Sequence, residues 1–376
     1  MSKKKHIGIG CFHFGVKKQP PFTFTGNQYL TELKSTLSKI SNVTELEINT
    51  DDDFKTYSEK IEEPLPNMEY ENDFFPSSLI FEIKFNIYIP FRIQSELTGQ
   101  KEKFLKTFSE NFQVTIDHSY YLPVCFIETL KPSKKPNPST SIQIVREFIR
   151  KELKTIKSEY IRFECLGPSP FHLDLHIKPN TPPTEEEWHF SPKETFKKGY
   201  NKLDIYYNKN LIKNSEEALD YLRNSIRDEF GFFYLYIQIR NNKIYKWESV
   251  QENLTDLLKI QNTPGIKGFF KKLFKRQQLI GELFTDVATF EGESIQYDAF
   301  RQNTYNETFS LKDQTFFKSF IDKELEEKMD YPVKQTSDLI TFFESRRVKS
   351  MEFIIALIAS LLGGAIGAIL TIYIQK

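Results

Sequence analysis

The chain has 376 residues, with 51 lysines and arginines against 51 aspartates and glutamates, and 35 phenylalanines. This length allows two or three domains with a sizeable core, and the balanced charge excludes a nucleic-acid binder that depends on an overall basic field. The three cysteines, Cys11, Cys125 and Cys165, show no CxxC spacing, which is typical of a chain in a reducing compartment.

The first part of the chain predicts a strand within residues 1–16 and a helix over Asn27–Ile40. A long run follows, Leu79–Phe91, in which apolar and polar residues alternate as in a half-buried strand. The lysine-rich segment Ser95–Asn111 is predicted to be a helix. This order of elements favours an antiparallel sheet.

The middle of the chain continues with short predicted strands and one predicted helix, which Ser139 or Thr140 can cap. The strands are Val114–Ile116, Tyr120–Ile127, Tyr160–Cys165, Phe171–Ile177 and Lys202–Tyr207, and the helix is Ile142–Ile156.

Beyond residue 207 the sequence predicts a helix over Ser215–Glu229, a hairpin over residues 232–248, and then only helices. Because helices and strands alternate irregularly, we expect an α+β fold with a mixed or mostly antiparallel sheet and flanking helices. The change near residue 248 predicts three parts. These are a sensing or binding domain over 1–247, a helical connector over 248–350, and a membrane anchor over 351–376.

The anchor is predicted from Phe353–Ile374, 22 residues without a charge. As a helix rising ~1.5 Å per residue it would reach ~33 Å, enough to cross a hydrocarbon core of ~30 Å. Arg346, Arg347 and Lys349 precede it and no signal peptide opens the chain, so we expect a single-pass, tail-anchored protein with a cytoplasmic N-terminal side. The alternative is a buried C-terminal core helix.

Small residues in this span recur at helical spacing, which lets helix backbones approach closely in a bilayer. They predict a homo-oligomer formed through the span, with a plain monomeric anchor as the alternative. The residues are Ala359, Gly363 and Gly367 in one row and Ser360 and Gly364 in the adjacent row.

A second membrane contact is predicted over residues 265–276. Its apolar residues share one helical face and its cations surround that face, as in an interfacial helix on an anionic bilayer. The alternative is a helix that packs its phenylalanines on the protein's own core. The predicted membrane-surface residues are Lys267, Phe269, Phe270, Lys271, Lys272, Phe274, Lys275 and Arg276.

The strongest candidate for chemistry is the strand that carries His172, Asp174 and His176, which alternation places on one face. Such residues can bind a metal or perform acid–base catalysis. The outer histidines are ~13 Å apart on an extended strand, too far for one ion. Further ligands would have to come from elsewhere, and a plain polar face is the alternative. Candidates for those ligands are His13, Glu164 and His189.

Two weaker patterns contain residues of catalytic types. Asp73 with Glu82 and Lys84 resembles the Asp…Glu-x-Lys arrangement of metal-dependent nucleases, although solvated pairs are a common outcome of this spacing. Cys11 and His13 could form a thiol–imidazole pair, with core packing of Cys11 as the alternative. P-loop, Rossmann, hydrolase-elbow and zinc-protease motifs are absent from the sequence.

These features lead to one main functional hypothesis. A cytosolic domain would sense an unidentified protein or small-molecule ligand and control the association of the membrane helix in the lipid bilayer. This architecture is similar to that of membrane effectors of bacterial antiphage defence, which implies membrane disruption as the output. The alternatives are a membrane-tethered metal-dependent hydrolase or nuclease and a passive membrane adaptor; no cofactor is identified.

Overall fold

A computed structural model describes residues 4–16, 26–50, 81–118, 122–156, 158, 160–167, 173–180, 189–197, 200–310, 312, 314–327, 329–345, 355–356 and 359–360.

Nine strands lie within these described ranges and form a mixed sheet. The order along the sheet is β2-β3-β4-β5-β1-β7-β9-β8, with β6 paired to β1. Strands β7 and β9 are parallel, and the other described pairs are antiparallel. The strands are β1 Lys5–Val16, β2 Val43–Thr50, β3 Phe81–Tyr88, β4 Asn111–His118, β5 Val124–Leu130, β6 Ile161–Gly167, β7 Leu173–Pro179, β8 Phe190–Lys197 and β9 Tyr200–Tyr207.

The described residues combine this sheet with helices, which confirms the predicted α+β class. The helices are α1 Gly26–Ser38, α2 Phe91–Thr98, α3 Pro138–Ile156, α4 Ser215–Asn262, α5 Gly265–Ser310, α6 Lys318–Glu326 and α7 over residues 333–345, with a short 3-10 helix at Glu102–Phe104.

The chain divides into two compact units. Unit 1 comprises Met1–Gln238 and Arg301–Glu327, and unit 2 comprises Ile239–Phe300 and Lys328–Lys376. The division therefore falls within α4 and again within α5. The predicted boundary at 247/248 stays a prediction, because it concerns the functional parts of the chain.

One face of the sheet in unit 1 packs on α1 and α3. The predicted alternation in β3 is confirmed, since Phe81, Ile83 and Phe85 are buried while the residues between them are partly exposed. In β1, Gly8 and Gly10 allow α3 to approach closely. A Cβ on Gly8 would lie only 2.4 Å from the carbonyl oxygen of Pro138.

The opposite face of the sheet binds the first half of α4 through polar contacts. Lys5 Nζ lies 2.6 Å from Glu128 on β5 and 2.7 Å from Glu216 on α4. Arg223 on α4 donates to Thr115 Oγ1 on β4 at 2.8 Å. These contacts fix α4 across the centre of the sheet.

The predicted hairpin over residues 232–248 is wrong, because this segment lies inside the 48-residue helix α4. Buried residues recur every fourth position, at Ala218, Leu222, Ile226 and Phe230, and the aromatic run that follows is almost wholly buried. A short apolar run that is buried on all sides looks the same in the sequence of a strand and of a helix.

The predicted helix over Ser95–Asn111 is also wrong. Helix α2 ends at Thr98 because Gly99 adopts a left-handed conformation, with φ of 68°, and Asn111 already begins β4. Strands β2 and β8 were not predicted. β2 is half-exposed and β8 contains Pro192, so neither has a clear apolar alternation.

Unit 2 has an apolar core of its own. Trp247 of α4 lies against Phe290 of α5, with 5.1 Å between ring centroids, and Ile340 and Phe343 of α7 belong to the same cluster.

Candidate functional site

Strand β7 places two of its three predicted site residues on the face that α3 covers. Asp174 and His176 are 8% and 1% exposed, respectively. They alternate with the buried apolar residues Leu173 and Leu175 on the other face. His172 lies outside the described residues.

Asp174 is engaged by the beginning of α3. Its Oδ1 accepts hydrogen bonds from the backbone N–H of Ser139, at 3.0 Å, and from the Ser139 hydroxyl, at 2.9 Å. Burial raises the pKa of Asp174, and the two Ser139 hydrogen bonds oppose that shift. A carboxylate at a helix N-terminus satisfies free N–H groups and is favoured by the helix dipole. Asp174 therefore serves to position α3.

His176 pairs with a histidine that the sequence had not indicated. His6 on β1 is its cross-strand neighbour, and the two Nδ1 atoms are 2.8 Å apart. One ring must donate its Nδ1–H and the other must accept, so the accepting ring is neutral, and the lowered pKa values of both histidines keep the donor neutral at pH 7. Burial, with a contribution from Lys4, lowers the pKa of His6 to about 4, and burial together with His6 lowers the pKa of His176 to about 2.

The parallel pairing of β7 with β9 brings Asp204 beside His176. Asp204 forms ion pairs with Lys178 Nζ, at 2.6 Å, and with Lys202. Burial alone would raise the pKa of Asp204, but the two lysines outweigh it and lower this pKa to about 2. On the other side of β9, Lys193 of β8 is the cross-strand neighbour of Asp204.

Two further lysines reach the same place. Lys4, just before β1, lies with its amino group in hydrogen-bonding range of Lys178, and Lys135, from the loop before α3, lies in the same relation to Lys202. Burial, followed by the charges of Lys178 and Lys135, lowers the pKa of Lys4 to about 8. Lys4, Lys135, Lys178 and Lys202 are called the lysine cluster below.

Most of the predicted metal ligands are engaged in other contacts. In the described part of the chain no group of three or more histidine, cysteine or carboxylate side chains could hold a metal ion. The structure brings two of the proposed extra ligands together, since His13 Nε2 lies 3.1 Å from Glu164 Oε2, while His189 stacks on Tyr221. Lysine ammonium groups, by contrast, are ordinary partners of anions.

The described residues of the two weaker patterns make contacts that are ordinary within a folded domain. Asp73 lies outside the described residues, while Glu82 accepts a hydrogen bond from Asn49 and Lys84 is the cross-strand neighbour of Glu47. Cys11 is buried, and burial raises the pKa of its thiol. This environment disfavours a reactive thiolate.

The predicted membrane-surface segment forms the beginning of α5. The side chains of Lys267, Phe269, Phe270, Lys271, Lys272 and Phe274 lie outside what the structure describes. Lys275 is exposed, whereas Arg276 is buried in unit 2, where it donates to the backbone carbonyl of Phe343. The Arg276 side chain is thus directed at α7 rather than away from the protein.

Of the predicted span, the structure describes only residues 355, 356, 359 and 360. Ala359 and Ser360 are helical and exposed, and Gly363, Gly364 and Gly367 lie outside the described residues. Among the residues that are described, no helix has the length and apolar character needed to cross a membrane.

Sequence reasoning found Asp174 and His176 but missed the lysine cluster and His6. The signal was an alternation of polar residues on three short segments, Lys4-x-His6, His176-x-Lys178 and Lys202-x-Asp204. Alternation places each pair on one sheet face. It does not show that β1, β7 and β9 are neighbours, so the cluster emerges only from the strand order.

No protein-family model, curated protein or solved structure matches the chain.

Proposed function

We propose that this protein is a membrane-tethered binding protein. Unit 1 binds a small anionic ligand at the lysine cluster, and the apolar segment Phe353–Ile374 anchors the chain in a bilayer with unit 1 on the cytoplasmic side. Ligand binding changes the association of the membrane helices through the row that contains Ala359, Gly363 and Gly367.

The binding function is supported by four lysines that gather beside Asp204, two of which, Lys178 and Lys202, form ion pairs with it. The two carboxylates at this place, Asp174 and Asp204, cannot neutralise four cations, although the chain as a whole is neutral. A cluster of cations with too few carboxylates to neutralise it, next to a buried histidine pair, is suited to binding an anion. The same features give little support to hydrolysis, because Asp174 is already engaged by α3.

The membrane function is supported by the sequence of the C-terminal segment. An uncharged stretch of 22 residues meets the length that a bilayer requires, and its small residues at i, i+4 spacing favour close helix packing. Packing of these helices against one another on ligand binding would convert a signal in unit 1 into a change in the membrane, as in the antiphage effectors whose architecture is similar.

Dye uptake by bacteria that express the full chain tests the proposed output. Gly363→Leu/Gly367→Leu should stay in the membrane fraction but reduce dye entry, because the added side chains separate the helix backbones. Ala365→Leu is the control, since it adds a leucine about 200° around the helix from Gly363. Equal dye entry for the wild type and the double variant, or a wild-type chain in the soluble fraction, would contradict the proposal.

A further inference from the structure

The lysine cluster is organised by the strands beneath it. Asp174, His176 and Lys178 alternate on β7, and Lys202, Asp204 and Tyr206 are their respective neighbours on β9. These side chains share one face of the sheet. Lys178 Nζ also lies 5.4 Å from the centroid of the Tyr206 ring. The lysine ammonium groups therefore lie next to a layer of buried polar side chains on this face of the sheet. That layer consists of His6, His176, Asp174 and Asp204.

The cluster contains two contacts between groups of like charge. Lys4 lies beside Lys178, and Lys135 beside Lys202. Two ammonium groups in contact repel each other, and the repulsion is relieved either by loss of a proton or by an anion between them. Asp204 contacts only one member of each pair directly, through Lys178 and Lys202.

We propose that the lysine cluster binds a small phosphate-bearing ligand that carries at least two negative charges. This inference rests on the proposed function and names the ligand class of the same site. Lysine presents a compact charge with three rotatable donors, which suits the several oxygens of a phosphate group, whereas planar carboxylates are matched better by arginine. Two separate ammonium pairs require more than the single charge of one carboxylate.

Binding of such an anion should be accompanied by proton uptake. Lys4 is faced by Lys178 from β7, by Lys135 from the loop before α3, by Asp204 from β9 and by the neutral His6 and His176. Burial and the neighbouring lysines lower the pKa of Lys4 to about 8 in the ligand-free protein and also lower the pKa of Lys135, so part of these amines is neutral near pH 8. A bound phosphate favours the ammonium form, so the protein takes up protons when the ligand binds.

Isothermal titration calorimetry of the full chain in phosphatidylcholine nanodiscs tests this proposal, with pyrophosphate and citrate as probes. We expect 1:1 binding of pyrophosphate that is at least ~10-fold tighter than that of citrate. Titrations at pH 8 in two buffers of different ionisation enthalpy measure the net number of protons taken up or released. Lys4→Met should shift this number toward release, since the ligand's own contribution is unchanged and the uptake by Lys4 is lost, and an unchanged number would contradict the role of Lys4.

Two lysine substitutions show whether pyrophosphate binds at the lysine cluster or responds only to the overall positive charge of this loop. Lys135→Ala should weaken pyrophosphate binding ~10-fold. Lys134→Ala, in the same loop, is the matched control and should change binding by less than about twofold, because Lys134 lies over the Phe108 ring instead. Circular dichroism of each variant shows whether the fold is retained.

The outcomes distinguish this inference from the proposed function. Binding of citrate but not pyrophosphate at the cluster would overturn the phosphate class and leave a small-anion site standing. No binding of either probe would overturn both. Pyrophosphate binding that is lost only in nanodiscs containing phosphatidylglycerol would support the phosphate class and identify a lipid headgroup as its source. Equal effects of Lys134→Ala and Lys135→Ala would overturn the assignment to the cluster.

Discussion

The buried histidine pair makes the stability of unit 1 depend on pH, and His6→Asn tests this directly. Asparagine can keep a hydrogen bond to His176 but does not titrate. In the folded protein the pKa of His6 is lowered to about 4, whereas an imidazole in an unfolded chain titrates near ~6.5. Between these values the unfolded state binds more protons, so the free energy of unfolding decreases as the pH falls.

The expected size of this effect follows from the two pKa values. Between pH 7.5 and pH 5, protonation of the unfolded state at this one position lowers the free energy of unfolding by about 2 kcal/mol. His6→Asn should remove that contribution, while His176, His13 and His118, whose pKa values are also lowered by burial, keep theirs. Between pH 7.5 and pH 5, the free energy of unfolding of the variant should therefore decrease by about 2 kcal/mol less than that of the wild type.

Urea unfolding of the full chain in nonionic detergent, followed by far-UV circular dichroism at both pH values, measures the difference. His189→Asn is the matched control, because its ring is exposed beside Tyr221, and it should behave as the wild type does. If His6→Asn loses as much stability as the wild type, to within about 0.5 kcal/mol, the account of a neutral, buried pair is refuted.

Two further predictions concern how α3 is held on the sheet. Asp174→Ala removes both hydrogen bonds to Ser139 and should lower the free energy of unfolding by about 1–2 kcal/mol; an unchanged urea midpoint would contradict the capping role. Gly8→Ala should cost about 1–3 kcal/mol, because its Cβ would overlap the Pro138 carbonyl. Gly281→Ala, at an open position on α5, should instead stabilise the protein by up to ~1 kcal/mol, and a loss of stability there would refute the comparison.

The sequence predicted the fold where local pattern and environment agree. β3 alternates cleanly because one of its faces is buried in an apolar core, so its period could be recognised. α4 could not be recognised as a helix beyond residue 229. Its aromatic run is buried on all sides of the helix, so the sequence shows no apolar face opposite a polar one. The end of α2 depends on one left-handed glycine, Gly99, inside a lysine-rich segment that otherwise favours a helix.

The candidate site shows a second limit. Asp174 and His176 could be selected from one strand, but their partners come from segments far away in the chain. His6 is 170 residues from His176, and Ser139 is 35 residues from Asp174. The strand order places Asp174 at the start of α3 and pairs His176 with His6. It also brings both residues beside the lysine cluster. Register between distant strands is not contained in local periodicity.

We propose that an anion bound at the lysine cluster increases the association of the membrane helices. Energy transfer between donor-labelled and acceptor-labelled copies, each labelled at the N-terminus and reconstituted in phosphatidylcholine vesicles, measures this association directly. We predict that pyrophosphate increases energy transfer for the wild type, and that the increase is absent from Lys178→Ala/Lys202→Ala and from Gly363→Leu/Gly367→Leu. Energy transfer in the wild type that is the same with and without saturating pyrophosphate would contradict the account.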